Sequence, residues 1–266
     1  QHENGQEGCH YAPDEIIDVT RALLEVIERE GLDVGVSVSE SGEWRSSVAY
    51  LNALMSDPDI AAALHHFAVH SYWSERDEKE GFARYVSKHY PDLGIWMSEW
   101  TEMKRDRDLS MDSALMLADT VQEDLTVGYG TSWQYWIAGS KYAFRDGLIY
   151  VSALTHEMEV TRRLWALGNF SRFVRPGHVR IEAAIPEDDA LRVVAFRSPD
   201  EEAIFVVVIN HAEEPRTVEL SLVGADVRRL QVFETSEAND LAVVYEGKVP
   251  REIGFAVQSV TTLVLR

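Results

Sequence analysis

The chain has 266 residues, of which 45% are hydrophobic, and carries 45 acidic against 25 basic residues for a net charge of −20. That composition supports a packed core, and the charge argues against nucleic acid or an anionic membrane surface as partner, because phosphate would be repelled. Cys9 is the single cysteine, which excludes an internal disulfide and a thiolate metal cluster, and the lack of an apolar run of about 18 residues excludes a spanning helix.

The first part of the chain alternates helical and strand-like patterns. Pro13-Asp14-Glu15 opens a helix, since proline and acids suit a first turn. Ile16, Val19, Leu23, Leu24 and Ile27 recur at helical spacing, and Gly31 ends the run. Residues 34–39 read as a short strand with Glu40 at its C-terminal end. A helix through Val48, Leu51 and Leu54 is stopped by Asp57-Pro58. Residues 67–70 form a second strand that ends in His70-Ser71-Tyr72, and residues 82–89 a helix with Pro91 just beyond it. Residues 95–98 are a third strand, ending at Glu99-Trp100. Ser110 caps a long helix to about Thr126, residues 131–136 are a fourth strand, and residues 155–167 a fourth crossover helix.

Strands alternating with helices imply βαβ units and a parallel sheet, and in such sheets chemistry gathers at the C-terminal strand ends. Those ends carry Glu40, His70, Tyr72, Glu99, Trp133 and Trp136. Any one of them alone reads as a solvated loop residue or a packed aromatic; their shared position points to a site. From about Gly177 the texture changes to short strands with polar turns, at residues 192–196, 203–209, 218–222, 230–234, 241–246 and 257–265. That spacing suggests a β-sandwich, with the boundary near Phe173.

Other chemistries find no support. His65 and His66 are adjacent, which does not bring two imidazoles to one metal from a helix face, and there is no H-E-x-x-H, G-x-S-x-G or P-loop. Gly128-Tyr129-Gly130 is a turn before a strand, not a dinucleotide fingerprint. No metal and no cofactor is expected.

Four strands cannot close a (β/α)8 barrel, and a half sheet would expose its edge and an apolar face. Trp96-Met97-Ser98-Glu99-Trp100 resembles the nucleophile strand of glycoside hydrolase family 30, and His70-Ser71-Tyr72 its H-x-Y strand end. The run from Thr131 to Trp136 resembles its eighth strand, and the run from Leu164 to Gly177 its junction between barrel and β-domain. Gln6-Glu7-Gly8-Cys9 is similar to a segment of the endo-β-1,6-galactanase-like branch. The resemblance implies the C-terminal half of a (β/α)8 TIM barrel over residues 1–173, then an all-β sandwich over 174–266, with the first half of the barrel upstream of Gln1. It further implies a retaining, double-displacement hydrolase of a β-linked glycan, tilted towards β-1,6-galactan, and a secreted protein.

Retention needs two carboxyls about 5–5.5 Å apart, one attacking the anomeric carbon and one protonating the leaving oxygen. Glu99 matches the nucleophile. The family's acid/base stands in an Asn-Glu-Pro motif, which is either represented here by Glu3, in Gln1-His2-Glu3-Asn4, or lies before Gln1. Trp100, Trp133, Trp136 and Tyr72 offer rings for the apolar faces of sugars, with Trp96 more suited to the core. His70 and Tyr72 would bond the nucleophile or the sugar, and Glu40 would bind a hydroxyl or orient the acid/base. The partner is then a carbohydrate, without nucleic acid or membrane insertion. The rival reading is a non-catalytic carbohydrate-binding remnant or inactive fragment, which would lack the acid/base.

Overall fold

The computed structural model describes residues 9–185 and 189–266. Glu3 and the segment Gln6-Glu7-Gly8 lie outside them. The chain divides into two compact units, one of Gln1–Trp100 with Glu123–Trp136 and one of Thr101–Gln122 with Ile137–Arg266. The boundary drawn from texture at residue 173 falls inside the second.

The first unit opens with α1 (Glu15–Glu30), β1 (Ser39–Ser41), α2 (Ser47–Met55), α3 (Pro58–Ala63), β2 (His66–His70), α4 (Arg76–His89) and β3 (Gly94–Glu99). The last turn of α5 (Met111–Thr126) and the strand β4 (Gly130–Trp133) complete it. All four strands run parallel in the order β1-β2-β3-β4. Helix α1 ends where Gly31 takes φ 62°, with Gly31 N–H donating to Glu28 O and Leu32 N–H to Ile27 O at 3.1 and 3.0 Å; this left-handed cap favours glycine. Asp57-Pro58 stops α2 and also starts α3. The Asp57 carboxylate accepts from the backbones of Asp59 and Ile60 at 2.9 and 3.1 Å, with Pro58 in the first turn. Glu75 and Glu78 close a capping box at α4. Phe67, Val69, Ile95 and Met97 are buried along β2 and β3, as are Leu51 and Leu54 of α2, and Phe82 of α4 meets the rings of Phe67 and Trp44, each with centroids 5.7 Å apart.

Several sequence expectations are corrected here. The first strand is Ser39–Ser41 rather than 34–39, so Glu40 lies within it. As the edge strand it has β2 as its sheet neighbour on one side, and Val38 O accepts one further bond from Ala68 N at 2.7 Å. Val19 and Leu23 of α1 are 41% and 44% exposed, so the apolar stripe is buried only in part. The fourth strand stops at Trp133, although Gln134 N–H and Trp136 N–H still donate to Met97 O and Trp100 O.

In the second unit β5 (Gly139–Ser140), β6 (Ile149–Val151) and β7 (Met158–Val160) form a small sheet, followed by α6 (Arg162–Ser171). The expected helix over 155–167 thus begins later, because Met158–Val160 pairs with β6 instead. Arg163 of α6 is fully buried and donates to Gly147 O and the Tyr150 hydroxyl at 2.8 and 2.9 Å.

The remaining elements are β8 (Val179–Ile181), β9 (Leu191–Arg197), β10 (Ile204–Asn210), β11 (Arg216–Glu219), β12 (Arg229–Thr235), β13 (Ala242–Lys248), β14 (Glu252–Phe255) and β15 (Ser259–Leu265). They make an antiparallel sheet in the order β13-β12-β15-β10-β9-β8 and a β11-β14 ribbon. Val206, Val208, Leu230, Val232 and Leu263 of the sheet share a core with Ile253 and Phe255 of the ribbon. On the other face, Asn169 of α6 donates to Thr235 Oγ1 at 2.6 Å and accepts from Thr262 at 2.7 and 2.9 Å. Strands β8 and β14 escape the sequence reading; both are short. Among the described residues no helix is long and apolar enough to cross a membrane.

Candidate active site

The parallel register sets His70 of β2 beside Glu99 of β3, at the strand ends where parallel sheets gather their chemistry. The Tyr72 hydroxyl donates to Glu99 Oε1 at 3.1 Å. The same oxygen lies 3.8 Å from His70 Nδ1. Among the described residues Glu99 Oε2 accepts no hydrogen bond, and the side chain is 24% exposed. One oxygen is thereby held in place, while the other keeps its lone pairs uncommitted among the described residues, as an attacking carboxylate requires.

Glu40 completes the cluster. Its Oε2 accepts from His70 Nε2 at 3.0 Å and from Ser98 Oγ at 2.5 Å, and its Oε1 from Ser37 Oγ at 3.1 Å. Its φ is 60°, a left-handed backbone uncommon for a residue with a side chain; such strain persists where surroundings fix it, most often at functional sites. Burial alone would raise its carboxyl pKa, but the hydrogen bonds from His70 and Ser98 outweigh burial and hold it below the ordinary value.

Just past the end of β2, Ser71 takes different partners from His70 and Tyr72. Ser71 Oγ accepts from Trp44 Nε1 at 2.7 Å and donates to Asp124 Oδ1 at 2.8 Å. Asp124, fully buried, also accepts from Trp133 Nε1 at 2.9 Å and pairs with Lys79 Nζ at 2.9 Å. Burial pushes the Asp124 carboxyl up against the pull of these donors. Burial would lower Lys79, but Asp124 and Glu123 hold its ammonium above the usual value. The strand end that bears His70 and Tyr72 and the indole of Trp133 are thus tied to one ion pair.

Trp133 in turn packs with Trp100 and Tyr135, ring centroids 6.1 and 6.3 Å away. Trp100 is buried, Trp136 is 49% exposed, and Trp73, with 57% exposure, leans on Tyr72 at 5.5 Å. Trp96 is only partly buried and stacks on His66 at 3.6 Å. The structure therefore brings Glu40, His70, Tyr72 and Glu99 into one cluster and Trp100 beside Trp133. Glu3 lies outside the described residues. Sequence reasoning gave no role to Ser37, Ser71, Ser98, Lys79 or Asp124. Asp124 carried a signal: it follows buried Leu117 and Val121 at helical spacing, a carboxylate on an apolar stripe.

The sequence pattern of O-glycosyl hydrolase family 30 matches residues 1–150. The putative glucosylceramidase 2 of Caenorhabditis elegans is 25% identical over 183 residues, covering 62% of this chain and 33% of that protein. Among solved structures, a GH30 endoxylanase of Clostridium papyrosolvens superposes with a TM-score of 0.79 at 15% identity, over 99% of this chain and 63% of its own. A conserved exported protein of Bacteroides fragilis gives 0.79 at 21% identity, over 97% and 61%. The chain thus spans about a third of that curated relative and under two thirds of these structures. The fold is that of an α/β glycosidase, and the chain belongs to O-glycosyl hydrolase family 30.

Proposed function

We propose that this chain carries the nucleophile side of a retaining O-glycosyl hydrolase that cleaves a β-linked glycan by double displacement. The observation that carries the reading is the Tyr72–Glu99–His70 arrangement at the ends of adjacent parallel strands. Glu99 Oε2 attacks the anomeric carbon while Oε1 is held by Tyr72; the glycosidic C–O bond breaks as the acid/base protonates the departing oxygen, leaving a glycosyl-enzyme, and the same group then deprotonates a water that displaces Glu99 and releases the sugar with its configuration retained. Glu3 is the acid/base candidate in this chain. Trp100, Trp133 and Trp136 offer the aromatic surface for sugar rings.

We read the four parallel strands as the C-terminal half of a (β/α)8 barrel ending near residue 173, and residues 174–266 as a β-sandwich. The other strands of such a barrel would come from polypeptide beyond the present sequence. The Gln6-Glu7-Gly8-Cys9 segment supports β-1,6-galactan as substrate, and the likeness to an exported protein supports secretion.

The test is covalent trapping in the full-length enzyme. A 2-deoxy-2-fluoro glycoside with an activated leaving group is expected to label Glu99, located by peptide mass spectrometry. Glu99→Gln should abolish both labelling and turnover. A label on another carboxylate, or inverted product in NMR, overturns the assignment.

A further inference from the structure

The six-stranded sheet carries three cations in one row. Arg229 of β12 stands directly opposite Lys248 of β13. On its other side Arg229 exchanges backbone hydrogen bonds with Arg266, at 2.8 and 3.0 Å. Directly opposed residues project to one face, and since Leu230, the next residue, belongs to the core, this row points away from it. All three side chains are exposed, and among the described residues none forms an ion pair. Neighbouring arginines behave otherwise: Arg228 pairs with Asp226 and Arg251 with Glu219, each at 3.2 Å.

Like charges directly opposite one another destabilise a sheet. In a chain with 45 acidic residues against 25 basic ones, three adjacent unpaired cations work against the fold, which points to an anion outside the chain. The row borders a hollow of about 520 Å³, where Gln231 and Glu246 stand opposite each other one step further along the strands. Charge recognition thus sits next to an amide and a carboxylate suited to hydroxyl groups. Strands lie about 4.8 Å apart, comparable to the length of one sugar unit in an extended chain, so cations on successive strands can meet charges on successive sugars. The overall negative charge of the protein disfavours the denser phosphate charge of nucleic acid.

We propose that this hollow binds an acidic glycan, with Arg229, Lys248 and Arg266 engaging uronate carboxylates and Gln231 and Glu246 taking sugar hydroxyls. The site is independent of the hydrolase reading and stands whether or not Glu99 is the nucleophile.

The test is calorimetric titration of the chain with a short oligogalacturonate, a neutral α-1,4-linked glucose oligomer of equal length, and inorganic phosphate. The oligogalacturonate is expected to bind, more weakly as salt is raised, and the neutral oligomer not to bind. An Arg229→Gln/Lys248→Gln double variant should lose about tenfold or more in affinity, the scale of lost charge-assisted contacts, while melting no lower than the parent. The charge-preserving Arg229→Lys/Lys248→Arg variant should keep most of the affinity. Unchanged affinity in the neutralised variant, equal loss in the charge-preserving one, equal binding of the neutral oligomer, or phosphate binding as tightly as the oligogalacturonate would each overturn the assignment.

Discussion

His70 Nε2 lies 3.0 Å from Glu40 Oε2, while the other ring nitrogen lies 3.8 Å from Glu99 Oε1. An ionised carboxylate only accepts, so this contact places a proton on Nε2 and fixes the tautomer and plane of the ring beside Glu99. On the proposed reading of the site, Glu40 acts as a positioning residue through His70. Glu40→Gln brings an amide donor to the same place and should cost about tenfold or more in kcat/KM, about 1.4 kcal/mol. Glu40→Asp should recover part of it. Nitrogen-15 NMR of the His70 ring should show the tautomer changing in the Gln variant; an unchanged tautomer with lower activity would assign Glu40 to substrate contact instead.

Tyr72 sets the rotation of the Glu99 carboxylate through one hydrogen bond at 3.1 Å. Tyr72→Phe removes the donor and leaves the ring. A hydrogen bond to a charged group contributes about 1.5–3 kcal/mol, so kcat/KM should fall about ten- to hundredfold. The melting temperature should stay near that of the parent.

Lys79 and Asp124 form a buried pair at 2.9 Å. Lys79→Met leaves the carboxylate without its cation and should cost about 3–5 kcal/mol in denaturant unfolding. Adding Asp124→Leu should restore part of that loss, because an apolar pair carries no desolvation penalty. Trp133, whose indole donates to Asp124, should change its fluorescence in both variants.

The pH dependence of stability follows from Glu40. Its folded pKa lies below the ordinary value of 4.5, so the unfolded chain binds the proton more tightly. The contribution is complete above about 4.5 and fades as pH falls through the lower folded value. Melting curves taken from pH 6 down to pH 3 should fall less steeply for Glu40→Gln than for the parent. A steeper fall would place the sign the other way.

Much of this arrangement is legible in the sequence because parallel strands report themselves. Apolar runs such as Phe67-Ala68-Val69, each followed by polar residues, mark the strands and so set His70, Tyr72 and Glu99 at neighbouring strand ends, where the structure has them. Glu40 is legible as an acid near a strand end, but its contacts depend on Ser37, just before β1, and on Ser98 of β3, whose hydroxyl takes meaning only once the sheet brings that strand near. The hub at Asp124 was missed because its partners Ser71 and Lys79 are 53 and 45 positions away in the chain. Residues 158–160 fall within the stretch 155–167 that the sequence assigns to a helix, whereas pairing with Ile149–Val151 makes them a strand. Gly128 looked like an ordinary turn residue. Its neighbours show more: a Cβ there would lie 2.6 Å from the Trp44 ring and 2.8 Å from Asp124 O.

Both oxygens of Glu40 are engaged, by Ser37 on one side and by His70 and Ser98 on the other, while among the described residues one oxygen of Glu99 accepts no hydrogen bond. A cationic sugar mimic, such as an iminosugar, meets one available counter-ion in this cluster rather than two. Its potency should track the nitrogen's placement at the anomeric position of the ring, and inhibitors carrying the charge elsewhere should gain little from the second carboxylate nearby.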